Sequence, residues 1–315
     1  MKRRLASLVA GVGVTSAFAA DLKLGPATPD PWEIAYGATL MSDYNVRGIT
    51  QSARRPAAGA YFESRYNVNP SLQLYGGLFG NSIDFPNDAA SQIGLYGGIK
   101  PTFDKLSVDL GAWYLFYPGG MTFDGLGGPS SCTTRNIALC NTIKGNLGFW
   151  EAYAKPSYAI NAVWTLGAIT YYSPSVLNSG AWGTYAAATA KLTVPSSVLP
   201  KEIGASISGE LGRYWFGTTD AFYGVPAFPA GVKLPDYNTW NVGLTLTYKV
   251  LSLDLRYYDT DLTKANCNVL TDDQTATFGG PSAITAINPT GLVSNWCGAA
   301  FIGKLSFDTT IPSFK

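Results

Sequence analysis

The sequence predicts an all-β fold: a transmembrane antiparallel up-and-down β-barrel of about twelve strands, with short turns on one side and long loops on the other. Three observations carry that expectation. Segments of about ten residues alternate apolar and polar side chains along most of the chain. The connections between them alternate short and long. Charges inside these segments collect on one face, leaving the other apolar.

The chain of 315 residues opens with Lys2, Arg3 and Arg4, followed by an apolar stretch from Leu5 to Phe18. Ala17-Phe18-Ala19 then places small residues where a signal peptidase reads, so residues 1–19 are expected to be a cleaved secretory signal. The stretch is shorter than the ~20 residues of a membrane-spanning helix, and Gly11 and Gly13 interrupt it. Residues 20–31 hold three prolines and no periodicity, which reads as a periplasmic tether to a barrel over 32–315.

Removing the signal takes away three cations, leaving 22 − 3 = 19 basic against 21 acidic residues, a net charge of −2. That balance argues against a nucleic-acid partner, which requires a basic face. Charged residues make up 14% of the chain and aromatic ones 13%. A soluble protein carries ~25% charged residues, so something other than water is expected to face much of this surface. No later segment is apolar enough for a membrane helix, and a closed barrel is the other structure that satisfies its backbone in lipid.

The clearest strands come late. Trp240, Val242, Leu244, Leu246 and Tyr248 alternate with Asn241, Gly243, Thr245 and Thr247. Leu251, Leu253, Leu255 and Tyr257 alternate with Ser252, Asp254, Arg256 and Tyr258, leaving Lys249-Val250 as a tight turn. Ten further segments fit, at about 32–42, 57–67, 71–81, 91–100, 105–116, 147–158, 162–172, 182–194, 202–212 and 299–309. Five connections are short (68–70, 101–104, 159–161, 195–201 and 249–250). Six are long (43–56, 82–90, 117–146, 173–181, 213–236 and 259–298), in strict alternation with the short ones. A soluble β-sandwich does not sort its loops this way, whereas outer-membrane barrels do. The expected location is therefore the bacterial outer membrane. The chain ends Ile311-Pro312-Ser313-Phe314-Lys315 with a penultimate aromatic, so the sealing strand either tolerates Lys315 or ends near Phe307.

Cys132 and Cys140 fall in one long loop, Cys267 and Cys297 in another. The simplest pairing is Cys132–Cys140 and Cys267–Cys297, although four cysteines allow three connectivities. With no histidine in the chain, the usual general base and the commonest metal ligand are missing. Neither a catalytic site nor a metal or other cofactor is expected.

The polar strand faces carry Glu63, Arg65, Asp109, Glu151, Lys155, Lys191, Glu210, Asp254, Arg256, Lys304 and Asp308, the candidates for a charged lumen. Glu63 with Arg65, Glu151 with Lys155, Asp254 with Arg256, and Lys304 with Asp308 each lie two or four residues apart on one face and are expected to neutralise each other. Arg47, Arg54 and Arg55 form a basic group in the first long loop, placed to attract anionic solutes or contact the phosphates of lipopolysaccharide. Trp32, Trp150, Trp182 and Trp240 near strand ends read as interface belts.

The stretch Ser42-Asp43-Tyr44-Asn45-Val46-Arg47-Gly48-Ile49-Thr50-Gln51 resembles the opening motif of the TorF-type porins, in which Ser-Asp-Tyr precedes Arg-Gly-Ile and Ser/Thr-Gln. Leu74-Tyr75-Gly76-Gly77-Leu78-Phe79-Gly80-Asn81-Ser82-Ile83-Asp84-Phe85 is similar to that family's glycine-aromatic strand running into Ser-x-x-Asp-Phe. The resemblance implies an outer-membrane barrel that passes small solutes. The expected function is passive diffusion of small polar solutes through a narrow charged lumen, by a monomer held in outer-membrane lipid. The alternative is a closed barrel serving as receptor, adhesin or anchor through its loops.

Overall fold

The structure, a computed structural model, describes residues 31–124 and 142–312. The expected signal 1–19, nearly all of the tether 20–31, and the Cys132–Cys140 pair lie outside the described residues.

Twelve long strands form one closed antiparallel barrel in which each pairs with the next and the last seals against the first. They are β1 (Trp32–Met41), β2 (Ala57–Asn69), β3 (Leu72–Ser82), β4 (Ser91–Phe103), β5 (Leu106–Phe116) and β6 (Phe149–Ala159). The circuit continues with β7 (Trp164–Ser173), β8 (Gly183–Thr193), β9 (Ile203–Phe216), β10 (Tyr237–Tyr248), β11 (Leu251–Thr260) and β12 (Ala300–Pro312). Every expected strand is present, and the ends differ by a few residues. The largest extension is at the loop end of β9, which runs on to Phe216. The seam is also longer than expected: β12 pairs with β1 from Met41↔Lys304 to Glu33↔Pro312. The sealing strand therefore does not stop near Phe307, because the first residues of β1 need partners.

The short connections gather at one mouth and the long ones at the other. Three of the short turns leave two residues between their strands, at 70–71, 104–105 and 249–250. Lys249 adopts φ 54° and Asp104 φ 50°, the left-handed geometry that matches a tight hairpin to the twist of its strands. Among the described residues the long loops carry a single α-helix, α1 (Lys264–Thr271), in the connection between β11 and β12. Its N-cap Thr263 accepts a hydrogen bond from the Asn266 amide. Cys267 on this helix is disulfide-bonded to Cys297 just before β12.

The outer face is apolar around the circuit. Leu211 is 64% exposed and Phe301 71% exposed, levels that water would penalise across so wide a band. Trp32, Trp150 and Trp182 are exposed near strand ends, and Trp240 is half-buried. Arg213 and Asp259 are outward charges at the long-loop rim. Arg213 lies 5.7 Å from the Trp215 ring centroid, and Asp259 accepts from the Tyr257 hydroxyl at 2.7 Å. The core is inside the barrel, where buried rings such as Tyr61, Phe79, Trp113, Tyr153 and Tyr185 pack into one cluster.

Replacing Leu244, outward at mid-strand in β10, with arginine should lower stability in lipid vesicles by ~2–4 kcal/mol. Urea unfolding measures it, and an effect within error would mean that this face does not meet hydrocarbon.

Candidate functional site: a hairpin clasped inside the lumen

The first long connection turns inward. Asn45–Val46 and Ile49–Thr50 pair as a miniature hairpin. Its two turn residues, Arg47 and Gly48, both have positive φ, 51° and 86°, the requirement of a type I′ turn. Glycine is needed at the second position for another reason too. A Cβ on Gly48 would lie 2.2 Å from Thr260 Cγ2.

Side chains around the hairpin fix its base. Asp43 accepts hydrogen bonds from the Thr50 hydroxyl, from Ser52 Oγ at 3.0 Å and from Arg54 Nη1 at 3.4 Å. The Gly48 amide donates to Asn45 Oδ1 at 2.9 Å. Tyr44 donates to Gln92 Oε1 at 2.8 Å. The Tyr237 hydroxyl, on the β10 wall, donates to the Arg47 carbonyl at 2.9 Å.

Arg47, at the tip, spans the lumen. Its Nη1 and Nη2 donate to the two Glu151 oxygens at 2.9 and 2.8 Å, a bidentate fork that is among the stronger ion-pair geometries. Glu151 sits on β6, five strands from β1 in the ring of twelve, so the contact ties the hairpin to the far wall. Nη1 also donates to the Tyr214 hydroxyl at 2.8 Å. The guanidinium carbon lies 4.4, 5.0 and 4.9 Å from the ring centroids of Tyr171, Tyr185 and Tyr214, within cation–π range. Trp113 Nε1 donates to Glu151 Oε2 at 3.0 Å. Burial pulls the Arg47 pKa down, but Glu151 together with Tyr214 and Tyr171 more than compensates, and the pKa stands well above its usual value.

The expected basic group of Arg47, Arg54 and Arg55 is thus divided. Arg47 is buried at 6% exposure. The guanidinium of Arg54 reaches the carbonyls of Asn295 and Gly298 at 3.0 and 3.1 Å. Arg55 alone is exposed, paired with Asp84 at 2.7 Å. The hairpin turn explains the correction, because it carries Arg47 away from solvent.

The expected strand charges face the lumen, but not every expected pair forms. Residues two apart meet: Arg65 with Glu63, and Arg256 with Asp254 at 2.9 Å. Residues four apart do not. Glu151 takes Arg47 instead of Lys155, and the Lys155 ammonium lies 4.0 Å from the Tyr153 ring centroid. Asp308 accepts from the Tyr61 hydroxyl at 3.1 Å, not from Lys304. At ~3.3 Å per residue, side chains four apart leave the strand ~13 Å from each other, beyond easy reach. Asp109 and Glu210 are likewise held by phenols, those of Tyr75 and Tyr185. Lys191 faces inward opposite Ser208. Nothing in the sequence spacing marks the tyrosines around Arg47, although each falls on the inward register of its strand.

Comparison with known proteins gives a consistent but coarse result. Residues 25–162 match the model of a family described as a bacterial protein of unknown function (Gcw_chp), a span that includes both motif stretches. No curated protein matches in sequence. Among solved structures, the chain is similar to an outer membrane channel from Pseudomonas putida F1, with 12% identity and TM-score 0.44, over 92% of this chain and all of that one. It is also similar to LpxR from Salmonella typhimurium, with 11% identity and TM-score 0.38, over 87% of this chain and 99% of that one. A third is the NanC porin, with 7% identity and TM-score 0.37, over 90% of this chain and all of that one.

Arg47→Ala should destabilise the hairpin by ~3–5 kcal/mol, because it leaves Glu151 buried without its counter-charge. Hydrogen exchange should then rise over 43–56 while the barrel strands stay protected; unchanged exchange would show that the clasp does not hold the loop. The disulfide acts nearby, since Ile49 bridges to Cys297 and the Thr50 amide donates to the Trp296 carbonyl at 3.0 Å. Its loop spans 30 residues, for which chain entropy predicts about 3.5 kcal/mol. Reduction should make 261–299 sensitive to protease and leave the heat-modifiable barrel intact.

Proposed function

We propose that this protein is an outer-membrane channel for small polar solutes in which the Arg47 hairpin forms the constriction. The observation that carries the reading is the clasp itself, a loop folded into the lumen from the long-loop mouth and fastened to the far wall. Below it the inward face is polar, as a water-filled conduit requires. Lys100, Lys155 and Lys304 form no ion pair within 4 Å among the described residues, whereas arginines or phenols occupy the carboxylates. Under this reading the long loops are external and the outer wall meets membrane lipid, with lipopolysaccharide at the rim. The chain acts as a monomer and performs no catalysis.

The second reading is a sealed barrel acting through its external loops as receptor, adhesin or anchor. It is favoured by the rings that fill the long-loop end of the lumen, including Phe79, Trp113, Tyr214 and Phe216. Single-channel recording in planar bilayers separates the two. A channel predicts discrete small steps for the native chain and about two-fold or larger conductance for Arg47→Ala, because the constriction widens. Silence from both proteins, each shown to be folded by heat modifiability, would establish the sealed barrel.

A further inference from the structure

Above the clasp, under the long loops, lies a cavity of about 170 Å³. Its walls come from two sources. The barrel contributes Phe79, Trp113 and Phe216, and the loops contribute Phe85, Leu147 and Leu270. Leu270 belongs to α1, which the Cys267–Cys297 disulfide holds in place. Arg47 and Glu151 also reach the cavity, joined as an ion pair through both Nη atoms, with Arg47 Nε buried and without a hydrogen-bond partner.

We infer that this cavity is a binding site for a small, mainly apolar molecule about the size of one aromatic ring. The volume is close to the ~150 Å³ of a dry engineered cavity that takes up benzene. The lining also disfavours water, which needs two to four polar partners to settle in a cavity. Most of the polar groups here are engaged already. Thr50 donates to Asp43, Gln92 accepts from Tyr44 and donates to Tyr117 at 2.8 and 3.0 Å, and Tyr237 donates to the Arg47 carbonyl. Asp272, at the end of α1, is the remaining acid in the lining. Burial pushes its carboxyl up to about 8, which disfavours a charge on the group inside the cavity. Phe79, Trp113, Phe85 and Phe216 offer ring edges and faces, which attract another ring beyond simple area burial.

The site stands whether or not the lumen conducts, so its test is kept apart from conductance. The full chain, refolded in lipid vesicles, is titrated with toluene, and with glucose as a polar control, while the fluorescence of Trp113 and Trp296 beside the cavity is followed. Leu147→Trp fills the space from one loop; Val269→Phe fills it from α1 and serves if the first variant fails to fold. Saturable quenching by toluene and none by glucose is expected, with affinity at least about ten-fold weaker in a filled variant that retains heat modifiability. No saturable signal, or equal toluene affinity in native and filled chains, would show partition into lipid only and overturn the site.

Discussion

The structure depends on a pair of opposite charges buried where water does not reach them. Arg47 and Glu151 are 6% and 1% exposed, and neither charge is tolerable alone in that setting. Their pairing decides the path of the first long loop. A hairpin that brings Arg47 to Glu151 must cross the lumen, and crossing it fixes what else fits there. Tyr237 takes the Arg47 carbonyl, Tyr214 takes the guanidinium, and Trp296 takes the hairpin edge. The last of these lies beside the disulfide, so the connection between β11 and β12 is positioned by the same clasp. Replacing a buried pair by apolar groups is often neutral for stability. The pair is better understood as specifying where the loop goes than as the source of its stability.

Nearly all of the barrel is legible in the sequence, because lipid outside and a polar interior impose a period of two on every strand. Two of the shifts in strand ends have local causes. At the seam, β12 runs on to Pro312 to pair the start of β1. At the loop end of β9, Tyr214↔Tyr237 is a ladder pair, although Tyr214-Trp215-Phe216 breaks the apolar–polar alternation, both faces being aromatic there. A face that packs rings inside the lumen has the same composition as one that meets lipid, so hydropathy alone does not separate them.

The site was less legible, for a geometric reason. Spacing along a strand correctly brings together Glu63 with Arg65 and Asp254 with Arg256. It says nothing about partners supplied by a loop, and Arg47 lies 104 residues from Glu151. The signal that was present is the Arg47-Gly48 dipeptide between Asn45-Val46 and Ile49-Thr50, a two-residue turn flanked by pairing residues. The two motif stretches also meet. Asn81 Nδ2 donates to the Tyr44 hydroxyl at 3.3 Å, the Asp84 amide donates to the Gln51 carbonyl at 2.9 Å, and Asp84 accepts from Arg55. Read together, they encode one object, the inward hairpin and the wall that supports it.

The same interior explains why so many inward glycines lie opposite tyrosines. Tyr61 of β2 crosses β1 at Gly37, where a Cβ would come within 2.6 Å of its ring, and reaches Asp308 on β12. Tyr75 of β3 crosses β4 at Gly98, where a Cβ would stand 2.5 Å from its hydroxyl, and reaches Asp109 on β5. Tyr153 of β6 crosses β5 at Gly111 and meets the Tyr75 hydroxyl at 2.6 Å. In each case the missing side chain lets a ring lie flat across its neighbour, a means of shielding glycine in sheets. The hydroxyl then bonds two or three strands away. Backbone ladders join only adjacent strands, so these phenols brace the ring of strands and at the same time occupy the carboxylates that would otherwise face the lumen. Filling the lumen, bracing the wall and leaving Lys100, Lys155 and Lys304 without an ion pair among the described residues are therefore consequences of one arrangement.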